Sequence, residues 1–122
     1  MPALADLMGA LQRKHSKLWF AGDVQNWELA DYELGQIKAN VQDAAVLYPG
    51  IPATNVTAMA EPIRAIDLAI EKKDGAAFSE GFKSLTAACN ACHQGLGRGF
   101  IVIQIPTASP FTNQSFAPPA KQ

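Results

Sequence analysis

The chain has 122 residues, 48% of them apolar and 17% charged. That is one domain of ordinary globular balance, long enough to bury a core without disulfides, and neither disordered nor collagen-like. A net charge of −1 offers no basic field for nucleic acid or anionic lipid. No run of about 18 apolar residues occurs that could span a membrane.

Met1-Pro2-Ala3 lacks the charged and apolar regions of a signal peptide, which fits a cytosolic chain or one whose signal has been removed. The first predicted helix runs from Ala3 to Ala21. Leu4, Leu7, Met8, Leu11, His15 and Leu18 recur at spacings of three and four and form one face. Gly22-Asp23 is expected to stop it. Asn26 suits the N-cap of the second helix, with Glu28 in its first turn. Leu29, Leu34, Ile37, Val41 and Ala45 make its apolar face, and Tyr48-Pro49-Gly50-Ile51-Pro52 ends it.

A third helix begins near Thr54 or Asn55 and carries Val56, Met59, Ile63, Ile66 and Ile70; Pro62 marks a kink in it or its true N1 position. Lys72-Lys73-Asp74-Gly75 reads as a turn. The fourth helix runs from about Ala76 to Leu96, with Phe78, Phe82, Leu85, Cys89, Cys92 and His93 along one stripe, and Gly95, Gly97 and Gly99 break it. The short first and third connections make antiparallel neighbours, so the fold class is all-α, an up-down-up-down four-helix bundle spanning residues 1–99.

Residues 100–122 differ in composition. An apolar β-branched run, Phe100 to Ile105, leads into a proline-rich stretch whose sole charge is Lys121. This reads as an extended tail packed on the bundle or on a partner, anchored by Phe111 and Phe116, with 118–122 loose.

Both cysteines and one of the two histidines fall in a single window, Cys89-Asn90-Ala91-Cys92-His93. Cys-x-x-Cys-His is the attachment signature of a c-type haem. On a helix, thiols at i and i+3 emerge on one side and can add to the two vinyl groups of a porphyrin. His93, at i+4, faces the same ring and supplies the proximal nitrogen to iron. A redox dithiol is a second reading, although no strand pattern precedes the motif. A zinc site built from Cys89, Cys92, His93 and His15 competes better, strained by the adjacency of Cys92 and His93, and two buried structural cysteines are the third alternative.

The chain resembles the class II c-type cytochromes, the cytochrome c-prime group, whose haem motif lies near the end of the last helix of a four-helix bundle. The similarity rests on Ile37-Lys38-Ala39-Asn40-Val41, on Asp74-Gly75 through Phe82, and on Ala88-Cys89-Asn90-Ala91-Cys92-His93-Gln94, and covers about residues 3–98. The run from Lys17 to Trp27 and the tail after Arg98 depart from that group. The resemblance implies a periplasmic haem protein whose signal peptide has been removed. It leaves two roles open, a five-coordinate NO or CO binder and a six-coordinate electron carrier, and a homodimer through the first two helices is one arrangement it implies.

Function then turns on the position opposite His93. Level-matching along antiparallel helices ranks the candidates. His93 lies 19 residues beyond the turn at Asp74, which corresponds on the first helix to a level near Leu4, counted back from Asp23. Met8 is then about 6 Å from the haem level and His15 about 16 Å. Met8 is the expected second ligand; an open site and His15 are the alternatives, and Met59 reads as core. Arg13 and Arg98 are candidate partners of the haem propionates, while Trp19, Phe20 and Trp27 read as a hydrophobic plug at the far end. The expected function is one-electron transfer by a single covalent haem c to a redox partner protein, with gas binding and a zinc-holding helical module as alternatives. Beyond the haem motif no nucleophile–base pair, carboxylate pair or phosphate loop suggests an enzyme.

Overall fold

The computed structural model describes residues 3–119. It is an all-α four-helix bundle: α1 (Leu4–Asp23), α2 (Trp27–Leu47), α3 (Ala53–Lys72) and α4 (Gly75–Gly95). The hairpins α1–α2 and α3–α4 pack most extensively, α2 packs on α3, and α1 and α4 pack least closely of the neighbouring pairs.

The two tight turns are built alike. At the end of α1, Asn26 N–H donates to the Ala21 carbonyl and Gln25 N–H to that of Gly22. At the end of α3, Asp74 N–H donates to Ala69 and Lys73 N–H to Ile70. Both are Schellman closures, and the left-handed position is held by Gln25 (φ 58°) and Lys73 (φ 54°). The next residue caps the following helix: Asn26 Oδ1 accepts from Leu29 N–H at 3.2 Å and Asp74 Oδ1 from Ala77 N–H at 3.0 Å.

Gly22 therefore does not stop α1. It lies buried inside the last turn, where a Cβ would stand 2.1 Å from the Phe78 ring. The glycine is there so that Phe78 can lie against the α1 backbone. Pro62 is not an N1 residue either: α3 begins at Ala53 and continues through Pro62, which is buried.

The apolar stripes meet in one core containing Leu18, Leu34, Ile37, Ile66, Phe78, Phe82 and Leu85. Its turn end is filled by rings. Trp19 stacks on Phe78 at 6.3 Å, Phe78 on Phe82 at 6.1 Å, and Trp27 meets Phe78 edge-on at 5.8 Å.

After α4 the chain reverses and runs back along the bundle without regular secondary structure among the described residues. It crosses the thinly packed α1/α4 side. Ile105 packs on the core, Lys17 sits over the Phe111 ring at 4.7 Å, and Phe116 meets Phe20 at 5.5 Å. Asn26 Nδ2 donates to the Phe116 carbonyl at 3.1 Å. The apolar run is covered on one side only: Ile103 and Ile105 turn inward, whereas Phe100 (79% exposed) and Val102 (72%) face solvent. An extended chain alternates its side chains, so a strap cannot bury consecutive residues against one surface. Pro118 and Pro119 are exposed; the remainder of the end expected to be loose, 120–122, lies outside the described residues.

Candidate functional site

At the end of the bundle opposite the aromatic plug the helices part around a narrow cleft of about 60 Å³, partly open to solvent. Every helix contributes to its walls: Met8 and Leu11 from α1, Val41 and Ala44 from α2, Asn55, Val56 and Met59 from α3, and Cys89, Cys92 and His93 from α4. Apart from Asn55 and His93 the lining named here is apolar or sulfur-bearing.

The three motif residues line the cleft together because they sit at i, i+3 and i+4 on α4. The helix then ends at once. Gly97 takes the left-handed conformation (φ 71°), and Arg98 N–H donates to the His93 carbonyl. Burial pushes the Cys89 thiol up to about 11, helped by Cys92 and opposed by a backbone hydrogen bond. Burial also raises Cys92, against a hydrogen bond from the Asn55 side chain. The free thiols are thus held neutral, the reverse of what a thiolate-based redox dithiol needs.

His93 Nδ1 lies 3.0 Å from the Ile101 carbonyl oxygen. A carbonyl can only accept, so Nδ1 carries the proton and, in the neutral ring, Nε2 keeps its lone pair. Metal-bound histidines are commonly held this way, one ring nitrogen donating to a carbonyl and the other left to the metal. The acceptor belongs to the tail, and Asn90 pins the same stretch: Asn90 Nδ2 donates to the Ile103 carbonyl at 2.8 Å and Asn90 Oδ1 accepts from Ile103 N–H at 2.7 Å.

The remaining sequence candidates separate. Met8 lines the cleft, and so does Met59, which also belongs to the buried core. His15 does not reach it. Its Nε2 donates to Thr86 Oγ1 at 2.9 Å, and the Thr86 hydroxyl donates to the Phe82 carbonyl at 2.9 Å. The ring lies 4.4 Å from that of Phe82, and burial lowers the His15 pKa to about 4. His15 is a neutral, satisfied core residue. Among the described residues no three His, Cys, Asp or Glu side chains converge as a metal-holding group, so the proposed Cys₂His₂ zinc set is not assembled.

Neither arginine lines the cleft. The Arg13 guanidinium lies along Gly9 on the exposed side of α1, and Arg98 Nη1 donates to the Leu96 carbonyl at 3.4 Å. Lys14 donates to Asn40 Oδ1 at 2.6 Å, so the basic cluster of α1 serves α2 and the tail. Sequence reasoning missed Asn55, Asn90 and the Ile101 carbonyl. Asn90 was visible only as a spacer within the motif, and Asn55 only as a helix start.

The chain matches no family model, no curated protein and no solved structure.

Proposed function

We propose that this protein is a monohaem c-type cytochrome that carries single electrons to a redox partner protein in the periplasm. One observation carries the reading: Cys89, Cys92 and His93 line one apolar cleft, and the His93 Nδ1–H is taken by a backbone carbonyl, which leaves Nε2 for iron. The residues present fit a haem. Two thiols on one side of α4 would hold the porphyrin by thioethers, a neutral imidazole would bind its metal, and apolar walls from the other helices would flank the ring. When bound, the haem supplies the one-electron iron couple.

The chain's own residues do the rest. Met8 brings a soft sulfur to the cleft from the first turns of α1, and a methionine ligand raises the potential relative to a second histidine. Met59 is locked in the core and serves as wall. Leu11, Val41, Ala44 and Val56 give the cleft apolar walls, which favour the less charged form of a redox centre.

The test is to express the chain with a haem-attachment system, extract it with acid acetone and weigh it. Haem should stay on the polypeptide, with low-spin bands and the sulfur-to-iron charge-transfer band in the far red. Cys92→Ser should retain at most one thioether. Haem lost to the solvent refutes covalent attachment, and a high-spin spectrum that shifts with CO favours the five-coordinate gas binder instead.

A further inference from the structure

We propose that Asn90, a spacer position in the Cys-x-x-Cys-His motif, is a positioning residue for His93: it locks the tail against α4 so that the Ile101 carbonyl is held on the His93 ring. The inference rests on His93 being the iron ligand.

The geometry is a two-point clamp. The Asn90 carboxamide gives its N–H to the Ile103 carbonyl and takes the Ile103 N–H, at 2.8 and 2.7 Å, as a neighbouring strand would. Both bonds are partly buried, which strengthens them and slows their opening. The tail runs antiparallel to α4 here, so Ile101 lies beside His93 and Ile103 beside Asn90. In an extended chain, carbonyls at i and i+2 point to the same side, about 6.6 Å apart. Asn90 and His93 are three residues apart on α4, an axial step of about 4.5 Å with a rotation of about 60° that adds several ångströms of lateral offset at side-chain radius and so brings the separation up to the spacing of the tail carbonyls. With Ile103 clamped to Asn90, the Ile101 carbonyl oxygen stands 3.0 Å from His93 Nδ1.

Little else could hold that carbonyl. Phe100 and Val102 face solvent, Ile101 itself is 42% exposed, and the backbone bond from Ile101 N–H to the Arg98 carbonyl fixes only the turn before it. The next anchor is Ile105 on the core. Asparagine is also the side chain that fits. Aspartate has the same size but no donor for the Ile103 carbonyl, and glutamine is one methylene too long for a helix surface already in contact with the tail. The functional consequence follows from the ring. An Nδ1–H held by a carbonyl fixes the tautomer and makes Nε2 a stronger donor; when the acceptor drifts, water replaces it and the ring turns more freely.

The test compares wild type, Asn90→Ala and Asn90→Asp. Amide exchange at Ile103 and the ¹⁵N signals of the His93 ring are read in the chain without haem, and the reduction potential in the haem-loaded protein. Expected are a tenfold or larger loss of protection at Ile103, a His93 ring that changes from the Nδ1–H form to a mixture of tautomers, and a potential that rises as Nε2 donates less. Asn90→Asp keeps the shape and one bond, and so keeps a measurable fold if the alanine variant does not; it should fall between the other two. A lower melting temperature with an unchanged ring tautomer and an unchanged potential would mean that Asn90 merely staples the tail, and overturns the proposal. Absence of covalent haem from the mass of wild type overturns the iron-ligand reading and the role with it. The ring signals of the haem-free chain still report separately whether Asn90 sets the imidazole.

Discussion

Lowering the pH below about 6.5 should destabilise this protein through His15. The ring is 5% exposed, donates Nε2–H to Thr86, and lies against Phe82. No acidic side chain hydrogen-bonds it, and burial alone lowers its pKa from 6.5 to about 4. The unfolded chain therefore binds a proton that the folded chain refuses throughout the window from 6.5 down to 4. Stability from this group is complete above 6.5 and is lost as pH falls, at up to about 1.4 kcal/mol per unit. Integrated from pH 7 to pH 5, the loss is about 2 kcal/mol, a large share of a marginal stability.

Urea unfolding at pH 7, 6 and 5 measures it, with His15→Gln as the control. Glutamine can donate to Thr86 but does not titrate in this range, and every carboxylate and His93 remain common to both proteins. The variant should start less stable at pH 7 by about 1–2 kcal/mol for imperfect packing, and then lose much less than wild type down to pH 5. Parallel losses in the two proteins would refute the reasoning, because the pH dependence would then belong to other groups.

Gly22→Ala should cost about 1–3 kcal/mol, since its methyl would stand 2.1 Å from the buried Phe78 ring, whereas Gly35→Ala, with nothing within 4 Å, should gain up to about 1 kcal/mol of helix propensity; paired melting curves decide. Met8→Ala should convert a low-spin haem spectrum to a high-spin one that binds CO, and Met59→Ala should leave the ligation unchanged while lowering stability by about 2–4 kcal/mol. Ending the chain after Arg98 removes the half-buried Ile105, Phe111 and Phe116, and should cost on the order of 3 kcal/mol in urea unfolding while uncovering Phe20.

The bundle was legible because its apolar residues repeat at helical spacing, and the stripe from Leu4 to Leu18 and that from Phe78 to His93 are the faces that meet. What misled was glycine. Gly22 was expected to end α1, and it lies inside the helix because a ring 56 positions later needs its bare backbone. At the two tight turns the left-handed position fell to Gln25 and Lys73, residue types that carry no such signal, whereas at the end of α4 Gly97 holds it as its type suggests. A glycine that admits a neighbour and a glycine that ends a helix are the same letter, and only tertiary packing separates them. His15 was ambiguous for a related reason. A histidine on an apolar stripe can be ligand or core, and the hydroxyl that decides the matter sits 71 residues away.

The same asymmetry runs through the site. Cys89, Cys92 and His93 were legible as one unit because local spacing alone places them on one face of one helix. Their surroundings were not, because each comes from a different part of the chain: Asn55 from the first turn of α3, and the Ile101 carbonyl from the tail. The packing divides the bundle accordingly. Its turn end is closed by Trp19, Trp27, Phe78 and Phe82, with the His15–Thr86 pair beside them, and needs nothing further to be complete. Its other end carries the motif, two methionines and a cleft, and there the chain departs from a plain four-helix hairpin pair by adding a strap fixed through a residue inside the motif itself. The haem proposed for that end would sit where the packing is thinnest and where two thiols and a carbonyl-tethered imidazole share one face of α4, whereas the turn end, filled with rings, has no such group to offer a cofactor.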